Sequence, residues 1–177
     1  IIEAAVFNAR KAVSNHAQNT KEDYVGNRFV SLDIGPLGKL LKPLGELEFE
    51  DAYNMFKKIA VTGEKAGADL VTIETMNDVY EMKAAVLAVK ENTKLPIFVT
   101  LTLDERGKTL TGTDAEIEVA IFEGLGVDAL GVNCGLGPFQ MDGIIDQLLE
   151  NASVPVFINP NAGLPEFRNG EFVYFIT

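Results

Sequence analysis

Cys134 is the only cysteine in 177 residues. It follows an apolar run and opens a glycine-rich turn, Gly131-Val132-Asn133-Cys134-Gly135-Leu136-Gly137-Pro138. A lone thiol is usually a small packed hydrophobe. Where a strand passes into a helix two further roles arise, nucleophile and metal ligand, because a helix N-terminus suits an anionic sulfur. A nucleophile would need a base. The only histidine, His16, sits beside Ser14 and Asn15 near the end of the first helix, where a solvated side chain is expected. A metal ligand would need companions, since zinc takes three or four nitrogen or sulfur donors. Neither constellation is complete within the chain.

Other polar groups close apolar segments in the same way. Glu74, in Glu74-Thr75-Met76-Asn77-Asp78, and Asp33, in Asp33-Ile34-Gly35-Pro36, are carboxylates at strand ends. Such a group can pair with a substrate ammonium or act as a base; the plainer alternative is a hydrogen bond to loop amides. Asn159-Pro160-Asn161-Ala162-Gly163-Leu164-Pro165 is a stiff turn, since proline fixes its own φ and restricts Asn159. Its amides could orient an amino-acid substrate or serve turn geometry alone. Residues 103–107 and 110–114 are assigned to loop geometry and to a helix cap at Asp114. Asn151-Ala152-Ser153 matches a glycosylation sequon, discounted because the N-terminus has no basic region that would mark a secretory signal.

An alternation of helices and strands must position these groups. Helical spacing and end signals predict helices over 3–14, 49–66, 79–91 (capped by Asn77 or Asp78), 114–125 (stopped by Gly126) and 139–151. Apolar β-rich segments predict strands over 28–34, 68–74, 96–102, 127–132 and 154–158, with a polar loop over 16–27. Strands of this kind, separated by helices, form a parallel sheet buried on both faces. Gly67-Ala68-Asp69-Leu70-Val71 returns two strand–helix units later as Gly126-Val127-Asp128-Ala129-Leu130. We read this echo as a repeated structural unit.

A closed barrel and an open doubly wound sheet share this alternation. Here every strand delivers polar groups at its C-terminal end: Asp33; Glu74; Thr102 and Asp104; Asn133 and Cys134; Asn159 and Asn161. A barrel gathers its site from many strand ends, whereas an open sheet concentrates it at one switch point, and no Gly-x-Gly-x-x-Gly turn is present. The fold class expected is therefore α/β, a (β/α)8 TIM-type barrel. Five strand–helix units fall short of eight, and a whole barrel takes about 250 residues. Residues 1–177, which lack an initiator Met, are read as one partial domain continued at both ends.

The net charge of −11 and the absence of a basic stripe argue against nucleic-acid binding. No apolar run is long enough to suggest a membrane span. A single cysteine permits no internal disulfide, which fits a reducing cytoplasm.

Taken together, the strand-end segments resemble the homocysteine-binding domain of cobalamin-dependent methionine synthases. The likeness runs in order through Asp33-Ile34-Gly35-Pro36 with Gly38, Glu74-Thr75 with Lys83-Ala84-Ala85, Leu110-Thr111-Gly112-Thr113, Gly131-Val132-Asn133-Cys134 with Gly137-Pro138, and Pro160-Asn161-Ala162-Gly163. The resemblance implies a barrel of which this chain is about strands three to seven. It also implies a zinc ion held by three cysteine thiolates. Cys134 matches the first, and a later Gly-Gly-Cys-Cys segment that would supply the others is absent here. By the same resemblance Glu74 and Asn161 contact the amino-acid end of homocysteine, Asn133 supports the Cys134 turn, and Asp33 belongs to the substrate site. The methyl group would come from methylcobalamin on another domain, recharged from methyltetrahydrofolate. Relatives that use betaine or S-methylmethionine share the barrel and the zinc. A pterin- or phosphate-binding barrel, or a non-catalytic scaffold, is the alternative if Cys134 is merely packed.

Overall fold

The alternation folds as one parallel sheet. A computed structural model describes residues 1–19, 28–163 and 165–174. Its strands β1 (Ser31–Ile34), β2 (Leu70–Met76), β3 (Ile97–Leu101), β4 (Ala129–Asn133) and β5 (Val156–Asn159) alternate with helices α1 (Ile2–Asn19), α2 (Phe49–Lys65), α3 (Val79–Asn92), α4 (Ala115–Leu125) and α5 (Pro138–Asn151). All neighbouring pairs are parallel, and the spatial order β1-β2-β3-β4-β5 is the order in sequence. A singly wound sheet of this kind is the wall of a (β/α)8 barrel; an open doubly wound sheet would reverse its order at a switch point. The fold class expected from the sequence is thus present as five units of a barrel.

Helix limits follow local chemistry. Asp78 caps α3 by accepting from the Tyr80 N–H (3.0 Å), and Asp114 caps α4 by accepting from that of Ile117 (3.0 Å). Gly126, at φ +73°, ends α4 in the left-handed conformation. On α2 the buried face Ala52, Phe56, Ala60 and Gly63 lies against the sheet. A Cβ at Gly63 would stand 2.4 Å from Leu32 Cδ2, so glycine sets that approach. The first helix reaches Asn19, past the expected end near 14, because no Gly or Pro interrupts it; His16 lies in its last turn. The rest of the expected loop, 20–27, lies outside the described residues.

Alternation along the strands separates two faces. Leu32, Ile34, Val71, Ile73, Val99, Leu101, Leu130 and Val132 face the helices in a continuous core with Phe56, Met82, Phe122 and Leu148. Polar and aromatic residues take the other face: the Ser31 and Thr72 hydroxyls meet at 2.7 Å, and the rings of Phe98 and Phe157 lie 5.8 Å apart. The expected burial on both faces thus holds on the helix side, while β1 exposes Ser31 and Asp33.

The Gly-x-Asp echo is a repeated clasp at the N-terminal ends of the strands. Asp69 accepts from the Val30 N–H through its side chain (2.7 Å) and donates its own N–H to the Val30 carbonyl (2.8 Å). Asp128 does the same with Ile97, both at 2.8 Å. This end of a barrel serves stability and not catalysis. Asp128→Ala should therefore cost about 1 kcal/mol in urea unfolding and leave the activity of the full-length protein unchanged.

Glu118 is the anomaly of the core. It occupies the buried stripe of α4 with Ala115, Val119 and Phe122, is fully buried, and among the described residues neither carboxyl oxygen completes a hydrogen bond. Burial raises its pKa well above the usual carboxylate range, and the nearby backbone N–H groups of Gly131 and Leu101 only partly oppose this. The folded state then binds a proton that the unfolded state has released, so stability falls as pH rises from the ordinary glutamate range toward the raised value. Glu118→Met should stabilise the fold by about 1–3 kcal/mol at neutral pH. Denaturant unfolding across pH should show that advantage smallest near about pH 4.

Beyond β5 the chain forms a hairpin, β6 (Glu166–Arg168) and β7 (Glu171–Val173), that the strand reading did not anticipate. Asn169-Gly170 turns it with φ of +51° and +88°, both positive as a two-residue hairpin loop requires. Among the described residues no helix is long and apolar enough to cross a membrane.

Candidate substrate and metal site

Thr75, Thr100, Thr102 and Cys134 meet at Asn133, the last residue of β4, which is 2% exposed. Its Oδ1 accepts from the Thr75 backbone N–H (2.9 Å) and from Thr100 Oγ1 (2.8 Å). A backbone N–H can only donate, so this contact fixes which way the amide faces. Nδ2 then donates to Thr75 Oγ1 (2.7 Å) and toward Cys134 Sγ (3.4 Å), while the Asn133 carbonyl accepts from Thr102 Oγ1 (3.1 Å). Every hydrogen-bonding position of the side-chain amide is used. Asn133 therefore has nothing left to offer a substrate directly, and it holds the Cys134 turn from beneath.

Cys134 itself is partly exposed and adopts φ +55°. Its N–H donates to the Asn159 carbonyl (3.0 Å), and its own carbonyl accepts from the Leu136 N–H (2.6 Å). Gly135 follows at φ +66°, and a Cβ there would stand 2.9 Å from the Leu103 carbonyl oxygen, so only glycine fits. Helix α5 begins four residues later at Pro138, so the amide of Asn133, not the helix terminus, is the donor facing the sulfur.

The Asn159–Asn161 turn docks onto this loop. The Asn161 N–H donates to the Leu136 carbonyl (2.9 Å), and a Cβ at Gly137 would approach Gly163 Cα to 3.1 Å. The backbone amide of Asn161 is thereby occupied, leaving its exposed side chain as the group able to reach a ligand.

On β2 the pairing with β3 shifts register between Ile73 and Met76, and Thr75 takes φ +62°. This bulge carries the strand past its expected end at Glu74. A β-branched residue in the left-handed region is strained by about 1–3 kcal/mol, and such strain gathers at functional sites. Glu74 and Asp33 lie close enough to interact: burial raises both carboxyls, and the Asp33 charge raises Glu74 further. Glu81, which the sequence reading passed over, is buried on α3 and accepts from the Leu37 N–H (2.6 Å), anchoring the loop that follows Asp33. Burial raises its carboxyl, the Leu37 N–H opposes this, and the Asp78 charge adds to the rise. A separate apolar cavity of about 430 Å³ lies off to the side, between Leu41, Pro43, Leu44, Val79 and Tyr80, and includes neither Cys134 nor Glu74.

Chemically, Cys134 suits one thiolate position of a zinc site: it is partly exposed, its backbone is fixed by its neighbours, and the Asn133 side-chain N–H faces the sulfur. Among the described residues no group of three or more His, Cys, Asp or Glu side chains could hold a metal ion, so Cys134 stands as a single donor.

Comparison with known proteins fits this geometry. The profile of the homocysteine S-methyltransferase family matches residues 1–177. The methionine synthases of Mycobacterium leprae and Mycobacterium tuberculosis are 36% and 34% identical over 143 residues, covering 78% of this chain. The chain spans only 12% of the length of each. The Escherichia coli homocysteine methyltransferase MmuM in its apo form superposes with a TM-score of 0.78 at 25% identity, over 92% of this chain and 60% of that one. Its metallated form superposes equally well, at 24% identity, over 92% of this chain and 58% of that one. From the whole-length family match, the chain belongs to the homocysteine S-methyltransferase family.

Proposed function

We propose that the strand-end site binds homocysteine and presents its sulfur for methylation, giving methionine, as part of the full-length protein to which these residues belong. The observation that carries this reading is the single amide of Asn133, which ties the Cys134 turn to the Glu74–Thr75 bulge. A thiol-handling group and an ammonium-binding carboxylate are thus brought to one end of the sheet.

Glu74, with Asp33 beside it, takes the substrate ammonium. The side chain of Asn161 reaches the substrate's amino-acid end from the neighbouring turn. Cys134 would be one ligand of a zinc ion completed by cysteines outside this chain, since it has no other. When bound, zinc would keep the substrate sulfur as a thiolate at neutral pH, where a free thiol of pKa about 8.5 is mostly protonated. The thiol proton leaves first. The sulfur then forms its bond to the methyl carbon as the donor's bond to that carbon breaks, and the electron pair departs with the donor.

The donor we favour is methylcobalamin, carried by another domain of the parent and recharged from methyltetrahydrofolate on a folate-binding domain, because the strand-end motifs resemble the cobalamin-dependent branch and the curated relatives are methionine synthases. The structural likeness to MmuM keeps a direct small-molecule donor such as S-methylmethionine or betaine as a second reading. Both place the reaction in a reducing cytoplasm, and neither gives nucleic acid or membrane a role. Residues 1–177 alone should bind no zinc and form no methionine. The test is methionine formation by the full-length protein from homocysteine with each donor in turn. Turnover with methylcobalamin is expected; turnover only with betaine or S-methylmethionine would select the second reading, and none with any donor would overturn both.

A further inference from the structure

Resting on the homocysteine reading, we propose that the Asn133–Thr75 bridge is a spacer that selects the chain length of the thiol amino acid. A substrate held by its ammonium at Glu74 and by its sulfur beside Cys134 is measured by the separation of those two groups. That separation belongs to two different strands, and one side chain spans them. Asn133 Oδ1 and Nδ2 grip both the backbone N–H and the hydroxyl of Thr75, next to Glu74, while the same Nδ2 faces the sulfur of Cys134, next to Asn133 in the chain.

Three features show that this spacing is held firmly. Thr75 keeps a left-handed conformation that a threonine avoids without local compensation. The bulge it creates displaces the β2–β3 register just where Glu74 projects. Thr100 Oγ1 braces the amide from the strand between, so all three strands contribute to holding it. Homocysteine and cysteine differ by one methylene and carry the same charged groups. A fixed spacing separates them where charge recognition cannot, and one methylene is commonly worth about 10–200-fold in selectivity. Thr75 and Thr100 are positioning residues in this scheme, acting through Asn133 and touching no substrate atom.

Thr75→Val tests the bridge, because it keeps the β-branch and volume and removes only the hydroxyl. In the zinc-loaded full-length protein, KM for homocysteine should rise about tenfold, the scale of one lost hydrogen bond. Over the same comparison kcat should change less, zinc content should hold, and the homocysteine-to-cysteine ratio of kcat/KM should fall by a similar factor. Thr75→Ser, which restores the hydroxyl, should return both quantities to the parent values. Thr100→Val should shift the ratio in the same direction. An unchanged ratio in both valine variants, with homocysteine still methylated, overturns the spacer and leaves the proposed function standing. A parent protein that does not methylate homocysteine overturns the function itself.

Discussion

Cys134→Ser in the full-length protein is expected to abolish stoichiometric zinc and lower methionine formation by more than about a hundredfold, since loss of a ligand's mere hydrogen-bonding partner already costs 10–100-fold in metal affinity or activity. Serine is nearly isosteric, and its backbone can follow the φ of +55° that Cys134 adopts. The contacts of the turn, from Cys134 N–H to Asn159 and from Leu136 N–H to Cys134, use only backbone atoms and survive the change. What is lost is the soft, readily ionised sulfur, which a hydroxyl does not replace as a zinc donor. Metal analysis and methionine assay on the same sample check this; retained zinc with retained turnover would make Cys134 a packed bystander.

The second large effect is at Glu74. Glu74→Gln keeps the shape and removes the charge that pairs with the substrate ammonium. Hydrogen bonds to charged groups contribute about 1.5–3 kcal/mol, so KM for homocysteine should rise by about 10- to 150-fold, with a smaller change in kcat. The pH dependence has a definite sign. Burial and the Asp33 charge raise the Glu74 carboxyl above its ordinary value. As pH falls through that raised value the carboxylate is protonated, ammonium binding weakens and KM climbs. Asp33→Asn removes the repulsive contribution, so the acid limb of the KM profile should move to lower pH. Steady-state kinetics across the acid range measure both effects, and a limb unmoved by Asp33→Asn would separate the two carboxyls.

The legible part of this fold lies where chemistry is local. Asp78, Asp114 and Gly126 signal helix ends by acting on backbone groups within a few residues, so their roles could be read directly. The Gly-x-Asp echo was recognisable as a repeat for the same reason, although its clasp onto Val30 and Ile97 appears only once strands are paired. Asn169-Gly170 and the placement of Glu118 on an apolar helical stripe were visible signals left unused. The site is different. Thr75 and Asn133 stand 58 positions apart, and their bond depends on β2 and β4 flanking β3. No spacing in the sequence encodes the bulge at Thr75, the saturation of the Asn133 amide or the occupation of the Asn161 N–H by Leu136. Position at a strand end could therefore nominate Asp33, Glu74, Asn133, Cys134 and Asn161 together, but could not divide them into groups free to meet a ligand and groups that hold others in place.

The most direct test is the sulfur count at zinc. X-ray absorption at the zinc edge, on the zinc-loaded full-length protein with and without homocysteine, reads the ligands themselves. Homocysteine should add a sulfur neighbour to the metal, and Cys134→Ser, which holds no stoichiometric zinc, should give no such signal. A zinc environment that homocysteine leaves untouched, in a protein that nonetheless makes methionine, would contradict the placement of the substrate sulfur beside Cys134.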